Sequence, residues 1–189
     1  KGVFRTKYLV LALGHSARDS FSMLHEKGVA MEQKPFAVGF RIEEPQAAIN
    51  QGQYGDMCRF LPAADYSLTA KVEEKGVYTF CMCPGGNVVA AASEEGGVVT
   101  NGMSYKARDG ENANAAVLVT VDHTTYGEGV LAGVEFQREI ERKVFAMTKS
   151  YKAPVESASS YLYGVETAAV TPTYKPGTFE ADLHDIYPE

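Results

Sequence analysis

Between Tyr66 and Val121 the chain is cut into short β-prone segments by glycine-containing turns, and this stretch limits the folds open to it most. The segments are Tyr66–Val72, Val77–Met82, Val88–Ala92, Val98–Thr100 and Ala115–Val121. Lys75-Gly76, Pro84-Gly85-Gly86 and Glu95-Gly96-Gly97 separate them. Gaps this short predict antiparallel hairpins and leave no room for helical crossovers between parallel strands. The longest break is a polar loop from Asn101 to Asn114. Ahead of this region, Phe36, Val38, Phe40 and Ile42 alternate within Pro35–Ile42, which predicts a strand with one buried face. Pro45 then opens a short helix to about Gln51. Behind it, Phe136, Ile140, Val144 and Met147 step by three and four residues, so Leu131–Met147 reads as an amphipathic helix, with Glu139 and Lys143 paired on its wet face. Strand and helix, then a β meander, then a helix: the pattern gives an α+β fold with a largely antiparallel sheet.

The N-terminal stretch reads differently. Lys7–Leu13 is short and apolar throughout, which predicts a buried strand stopped by Gly14. Ser16, with Asp19 three residues on, is a capping-box variant for a helix over Ala17–Lys27, and Gly28 closes that helix. After Tyr151 the chain is rich in Ser, Thr and Pro, with a helical turn expected near Glu156–Tyr163 and an extended tail beyond it. Three parts follow: 1–33 as strand, turn and helix; 34–150 as the β-rich domain with its C-terminal helix; and 151–189 as a tail.

Composition removes several classes of function. Hydrophobic residues make up 45% of the chain, enough for a sizeable core and too many for a disordered one. The net charge of -6, with 18 scattered Lys and Arg, argues against nucleic acid as a partner. No apolar run approaches the roughly 20 residues of a membrane span, and no leader is expected. Cys58, Cys81 and Cys83 are too few for a disulfide framework, so a reducing, cytoplasmic setting is expected. The chain begins at Lys1 and stops at Pro188-Glu189, and both ends read as cut.

Three segments can carry chemistry. Leu13-Gly14-His15-Ser16 leads from an apolar run into a helix start, which suits a phosphate or another anion and equally suits an ordinary strand-to-helix joint. In Cys81-Met82-Cys83-Pro84-Gly85-Gly86, the two cysteines of a regular strand share a face about 6.5–7 Å apart. Zinc needs more ligands than this, and a redox pair is normally C-x-x-C, so no metal is expected. Two readings remain: a pair of small buried residues with Pro84-Gly85-Gly86 as a hairpin turn, or a thiol and backbone beside a bound ligand. The loop Ser104–Asn114 gathers Arg108, Asp109, Glu111, Asn112 and Asn114, either to clamp a carboxylate or ring edge or as a solvated loop using Asp and Asn for turns. His15, His25, His123 and His184 form no i,i+4 pair and no G-x-S-x-G elbow is present, so a hydrolase built on Cys83 and a histidine is the weakest reading.

Taken together, Val10–Asp19, Lys34–Gly39, Phe80–Gly86, Ser93–Gly97, Asn101–Ser104, Arg108–Asn114, Pro172–Gly177 and Ala181–His184 resemble an uncharacterised bacterial family of FAD-utilising dehydrogenases. The resemblance spans nearly the whole chain. It implies a middle piece of a longer protein, an inserted substrate-side domain whose FAD is held elsewhere by a glycine-rich Rossmann unit. On that basis Gly14, His15 and Ser16 are expected near the dinucleotide, and Cys83, Gly85 and Gly86 near the ring system. Arg108 is expected to clamp an anion or carbonyl, with Asn112 and Asn114 donating to substrate. FAD belongs to the longer parent, with none tightly held by this chain, which is then inactive alone. Its partner is the missing FAD-binding core, its substrate is unassigned, and the Lys7–Leu13 surface is open to self-association. The competing reading is a stand-alone ligand-binding or interaction module without catalysis.

Overall fold

The computed structural model of the chain describes residues 2–166 and 169–187. In chain order its elements begin with helix α1 (Arg18–Glu26), strand β1 (Phe36–Pro45), helix α2 (Gln46–Tyr54) and a 3-10 turn (Gly55–Phe60). Strands β2 (Thr69–Val72), β3 (Lys75–Cys83), β4 (Gly86–Ala90), β5 (Thr100–Ser104) and β6 (Asn112–Val121) follow. The chain then forms helices α3 (His123–Tyr126) and α4 (Ala132–Thr148), strand β7 (Ala153–Val155), helix α5 (Ala158–Tyr163), strand β8 (Thr178–Glu180) and a 3-10 turn (Leu183–Asp185). The fold is α+β.

The main sheet has the order β1-β6-β3-β2, and every neighbour is antiparallel. β6 is its centre and pairs with β1 from Phe36↔Val121 to Pro45↔Asn112. One face of the sheet carries α4, as the alternation of β1 requires. Phe36 packs on Tyr126 and Phe136, and Phe40 packs on Tyr161 and Tyr187. Val98, Val144 and Ile186 are buried together there, with Phe40, Ile140, Phe145 and Leu183 against them. The Tyr187 hydroxyl donates to the Gly39 carbonyl at 2.7 Å, and burial pushes its pKa up to about 12. The opposite face of β1 presents Arg41 and Glu43, and a second antiparallel ribbon, β4–β5, lies against that side of the sheet.

Several expectations shift in this frame. The β2–β3 hairpin turns at Glu73-Glu74, both at positive φ (47° and 67°), and Gly76 lies inside β3. A two-residue turn whose central residues both take positive φ matches the twist of the flanking strands, which is why it forms even without glycine. Pro84-Gly85-Gly86 is not a hairpin turn, because β4 leaves β3 and pairs only with β5. The loop expected over Asn101–Asn114 is shorter, since β5 reaches Ser104 and β6 starts at Asn112. The tail is tied in as well: β7 and β8 pair in parallel, and Tyr174 is buried with Val88 and Ala153.

Lys7–Leu13 forms no strand, and its apolar side chains are exposed. A strand needs a ladder partner, and among the described residues none pairs with this stretch. The Ser16–Asp19 capping box is also not made. Ala17 is the N-cap of α1, the Ser16 hydroxyl lies 3.2 Å from His15 Nε2, and Asp19 accepts from the Ser20 amide. Gly28, at φ 73°, follows α1 as expected.

Candidate functional site

The site begins with an irregularity in β3. Phe80 pairs with Ala116 and Cys83 with Asn114, so three steps along β3 oppose two along β6. The extra residue is a β-bulge, which re-aims side chains. Cys81 takes φ 49°, a left-handed conformation uncommon outside glycine and Asn or Asp. This brings Cys81 Sγ to 4.0 Å from Cys83 Sγ. Cys81 is exposed, while Cys83 is buried and its thiol also donates to the Cys81 carbonyl at 3.2 Å. Burial pushes the Cys83 pKa up, and the Cys81 neighbour adds to the shift. Among the described residues, the hydrogen-bond partners of the Cys83 thiol are Cys81 groups and include no histidine.

Arg41 lies beside the bulge. Its Nη1 donates to Asn114 Oδ1 at 2.7 Å and to the Cys81 carbonyl at 3.3 Å, and its Nη2 donates to Asn101 Oδ1 at 3.3 Å. All three acceptors are neutral, and among the described residues Arg41 makes no ion pair. A guanidinium carries five N–H donors, so two remain. Asn114 is fully buried and, among the described residues, its Nδ2 has no partner. Turning its amide over would set that NH2 against the guanidinium, so the orphan donor is a property of the corner. Gly102 seals the corner: a Cβ there would stand 2.3 Å from Arg41 Nη1, 2.3 Å from Asn114 Oδ1 and 2.8 Å from Cys83 Sγ.

The other residues marked in the sequence divide into three groups. Gly85 and Gly86 are buried and their backbone is already engaged. The Gly85 amide donates to Gln46 Oε1 at 2.7 Å, its carbonyl accepts from the Gly110 amide, and a Cβ on Gly85 would meet the Arg108 carbonyl at 2.1 Å. The close backbone approach that Gly85 permits is therefore to the 108–110 loop, and the one that Gly86 permits is to Met103 on β5. Asn112 shares a face of β6 with Asn114 and donates to Glu43 and to the Thr171 carbonyl, while Glu43 also accepts from Thr173. Arg108 is exposed, at φ 52°, and Gly14, His15 and Ser16 are exposed at the start of α1. The corner unites Asn114 and Cys83 from the sequence candidates with Arg41, Asn101 and Cys81. Arg41 is not legible in the sequence, because the odd positions of β1 read as a wet face and nothing local reveals that a distant ribbon covers them.

Two further polar clusters stand apart. Arg18, 8% exposed, bonds Glu141, Glu94 and Gln137, and Arg138 bonds Glu94 and Glu135. Glu94 falls to about 2, chiefly through Arg138, and both guanidinium pKa values rise. Glu156, Asp182 and His184 bring ligand atoms within 4.8 Å of one another. Capping accounts for that arrangement, since Asp182 accepts from the His184 amide and ring, and Glu156 accepts from the Leu183 amide and the Ser160 hydroxyl.

Residues 35–189 match the family described as "FAD-dependent protein, C-terminal domain-like". The chain belongs to this family. An uncharacterised protein of Clostridium beijerinckii is 47% identical over 190 residues, covering 96% of this chain and 36% of the relative. The chain thus spans about a third of that relative's length. No described helix is long and apolar enough to cross a membrane.

FAD is the cofactor that the family description carries, and the residues in hand do not build its cradle. A dinucleotide site needs a strand, a glycine-rich turn and a helix whose N-terminus faces the pyrophosphate. Among the described residues no strand precedes Gly14, and α1 has no side-chain cap. What the described residues do assemble is a guanidinium held by three neutral oxygens beside two thiols.

Proposed function

We propose that the chain is the substrate-side part of a FAD-dependent dehydrogenase, inserted in a longer protein whose core binds the flavin, and inactive without that core. In this reading Arg41 presents the charge that the domain contributes, to an anionic or carbonyl group of the substrate or to an edge of the ring system. One observation carries it: the Arg41 guanidinium is pinned by three neutral oxygens and makes no ion pair among the described residues. A cation held this way needs little reorganisation when an electron-rich group arrives, and it keeps two further donors to offer. Asn114 fixes it from behind and Asn101 from the exposed side. Arg108, which the sequence put forward for this role, sits on an exposed loop.

Family membership supports the flavin half of the reading. The open apolar stretch from Tyr8 to Leu13, with Tyr8 and Val10 almost wholly exposed and Val3 and Phe4 exposed ahead of it, supports a missing partner surface. Isolated domains seldom leave so much contiguous apolar chain uncovered.

The test uses the longer flavoprotein that contains this chain. Arg41→Met is expected to leave flavin content unchanged and to lower turnover by roughly tenfold or more, equivalent to about 1.4 kcal/mol of transition-state stabilisation. The absorbance spectrum and kcat/KM, with the donor that reduces the wild-type flavin, read the two quantities. Equal turnover removes Arg41 from the site, and a colourless wild-type protein removes the flavin reading altogether.

A further inference from the structure

We propose that Cys81 and Cys83 form a two-electron dithiol that exchanges with low-molecular-weight disulfides carrying carboxylates, the glutathione class. The preference for carboxylates rests on the Arg41 reading above; the dithiol itself does not.

The bulge is what makes the pair. In a regular strand, residues two apart are separated by roughly 6.5–7 Å along the chain, too far for their sulfurs to meet without bending the backbone. Here the extra residue and the positive φ of Cys81 place the sulfurs 4.0 Å apart. A disulfide requires the sulfurs to close from there to ~2.05 Å. Holding a non-glycine residue in the left-handed region costs about 1 kcal/mol or more, and such strain concentrates at functional positions.

Exposure divides the roles. Cys81 is open to solvent and attacks, while Cys83 is buried behind it and resolves. In the first step the Cys81 thiolate attacks one sulfur of the disulfide RSSR; its S–S bond breaks, one RS⁻ leaves and takes up a proton, and Cys81 carries a mixed disulfide. In the second, Cys83 loses its proton to solvent as its Sγ attacks Cys81 Sγ, and the second RS⁻ leaves and is protonated. The dithiol has lost two electrons and two protons, and RSSR has become two RSH. The nearby Arg41 guanidinium, short of an anion, favours a disulfide whose substituents carry carboxylates. Cys58 is half-buried, with its thiol toward Gln51 Oε1 and no thiol beside it, and so provides an internal control.

The test is oxidation of the wild-type chain by glutathione disulfide, followed by alkylation of the remaining thiols and mass mapping. Loss of two hydrogens within the peptide holding Cys81 and Cys83 is expected, at least about tenfold faster than glutathione adds to Cys58. The Cys83→Ser variant is expected to accumulate glutathione on Cys81. If Cys81 and Cys83 pick up glutathione independently, or react no faster than Cys58, the proposal is overturned; the wild-type result alone decides this, whatever the variant's folding. Cystamine, a cationic disulfide, separates the two readings. Slower oxidation by cystamine supports the role of Arg41, and equal rates remove the carboxylate preference while leaving the dithiol intact.

Discussion

The molecule holds two arginine-centred polar clusters, and they are built on opposite terms. Around Arg18 and Arg138 every charge has a partner of the other sign: Glu141 and Glu94 serve Arg18, and Glu94 and Glu135 serve Arg138. The network joins α1, the loop after β4 and α4, three pieces far apart in sequence, and its charges are spent on one another. Around Arg41 the acceptors are two carboxamides and a carbonyl, one carboxamide has an orphan buried NH2, and a strained cysteine lines the edge. Charge matching marks a clasp, whereas a fixed, unmatched charge marks a surface that meets something else.

This contrast can be broken from the clasp side first. Arg18→Met strands the Glu141 carboxylate and removes one of the two arginines on Glu94, and a loss of about 3 kcal/mol is expected, read from the urea midpoint. A loss below about 1 kcal/mol would mean that the network does not hold α1 to the fold. Next in size is Gly102→Ala, whose methyl would meet Arg41, Asn114 and Cys83 together. Packing strain of about 2 kcal/mol is expected, together with faster alkylation of Cys83 as the corner opens.

A pH titration sharpens the comparison. The Glu94 pKa in the fold, about 2, lies below the ordinary 4.5, so its contribution is present in full above 4.5 and is lost as pH falls from there toward 2. Glu94→Gln is expected to cost about 1.5 kcal/mol at neutral pH and to flatten the acid limb of the stability curve measured by urea titrations between those values. An unchanged acid limb would place the acid sensitivity elsewhere.

Much of the frame was legible from residue patterns. The three-four spacing of Phe136, Ile140 and Val144 gave α4, and the alternation of Phe36 to Ile42 gave β1, because both patterns report one face against one core. Lys7–Leu13 has the composition of a strand, but a strand also needs a neighbour to bond, which composition does not report. The site was half visible. Asn114 and Cys83 stood out as residue types; Arg41 joins them only through a register between β1 and β6 and a ribbon that returns over the far face. The bulge was invisible too, since Cys-Met-Cys reads as regular strand and the shift arises in pairing with β6. Arg108 is the charge of a polar loop in sequence, yet in the fold it is its carbonyl that packs on Gly85.

The smallest expected effect tests the contrast most directly. Asn114→Asp keeps size and shape, removes the orphan NH2 and sets a carboxylate against Arg41, turning the corner into a clasp. Urea unfolding of wild type and variant at neutral pH measures the change. A gain of about 1 kcal/mol is predicted, because a charge-assisted bond replaces a neutral one and a buried donor no longer lacks its acceptor. A loss of stability would show that Arg41 already has its charge answered, and would contradict the account.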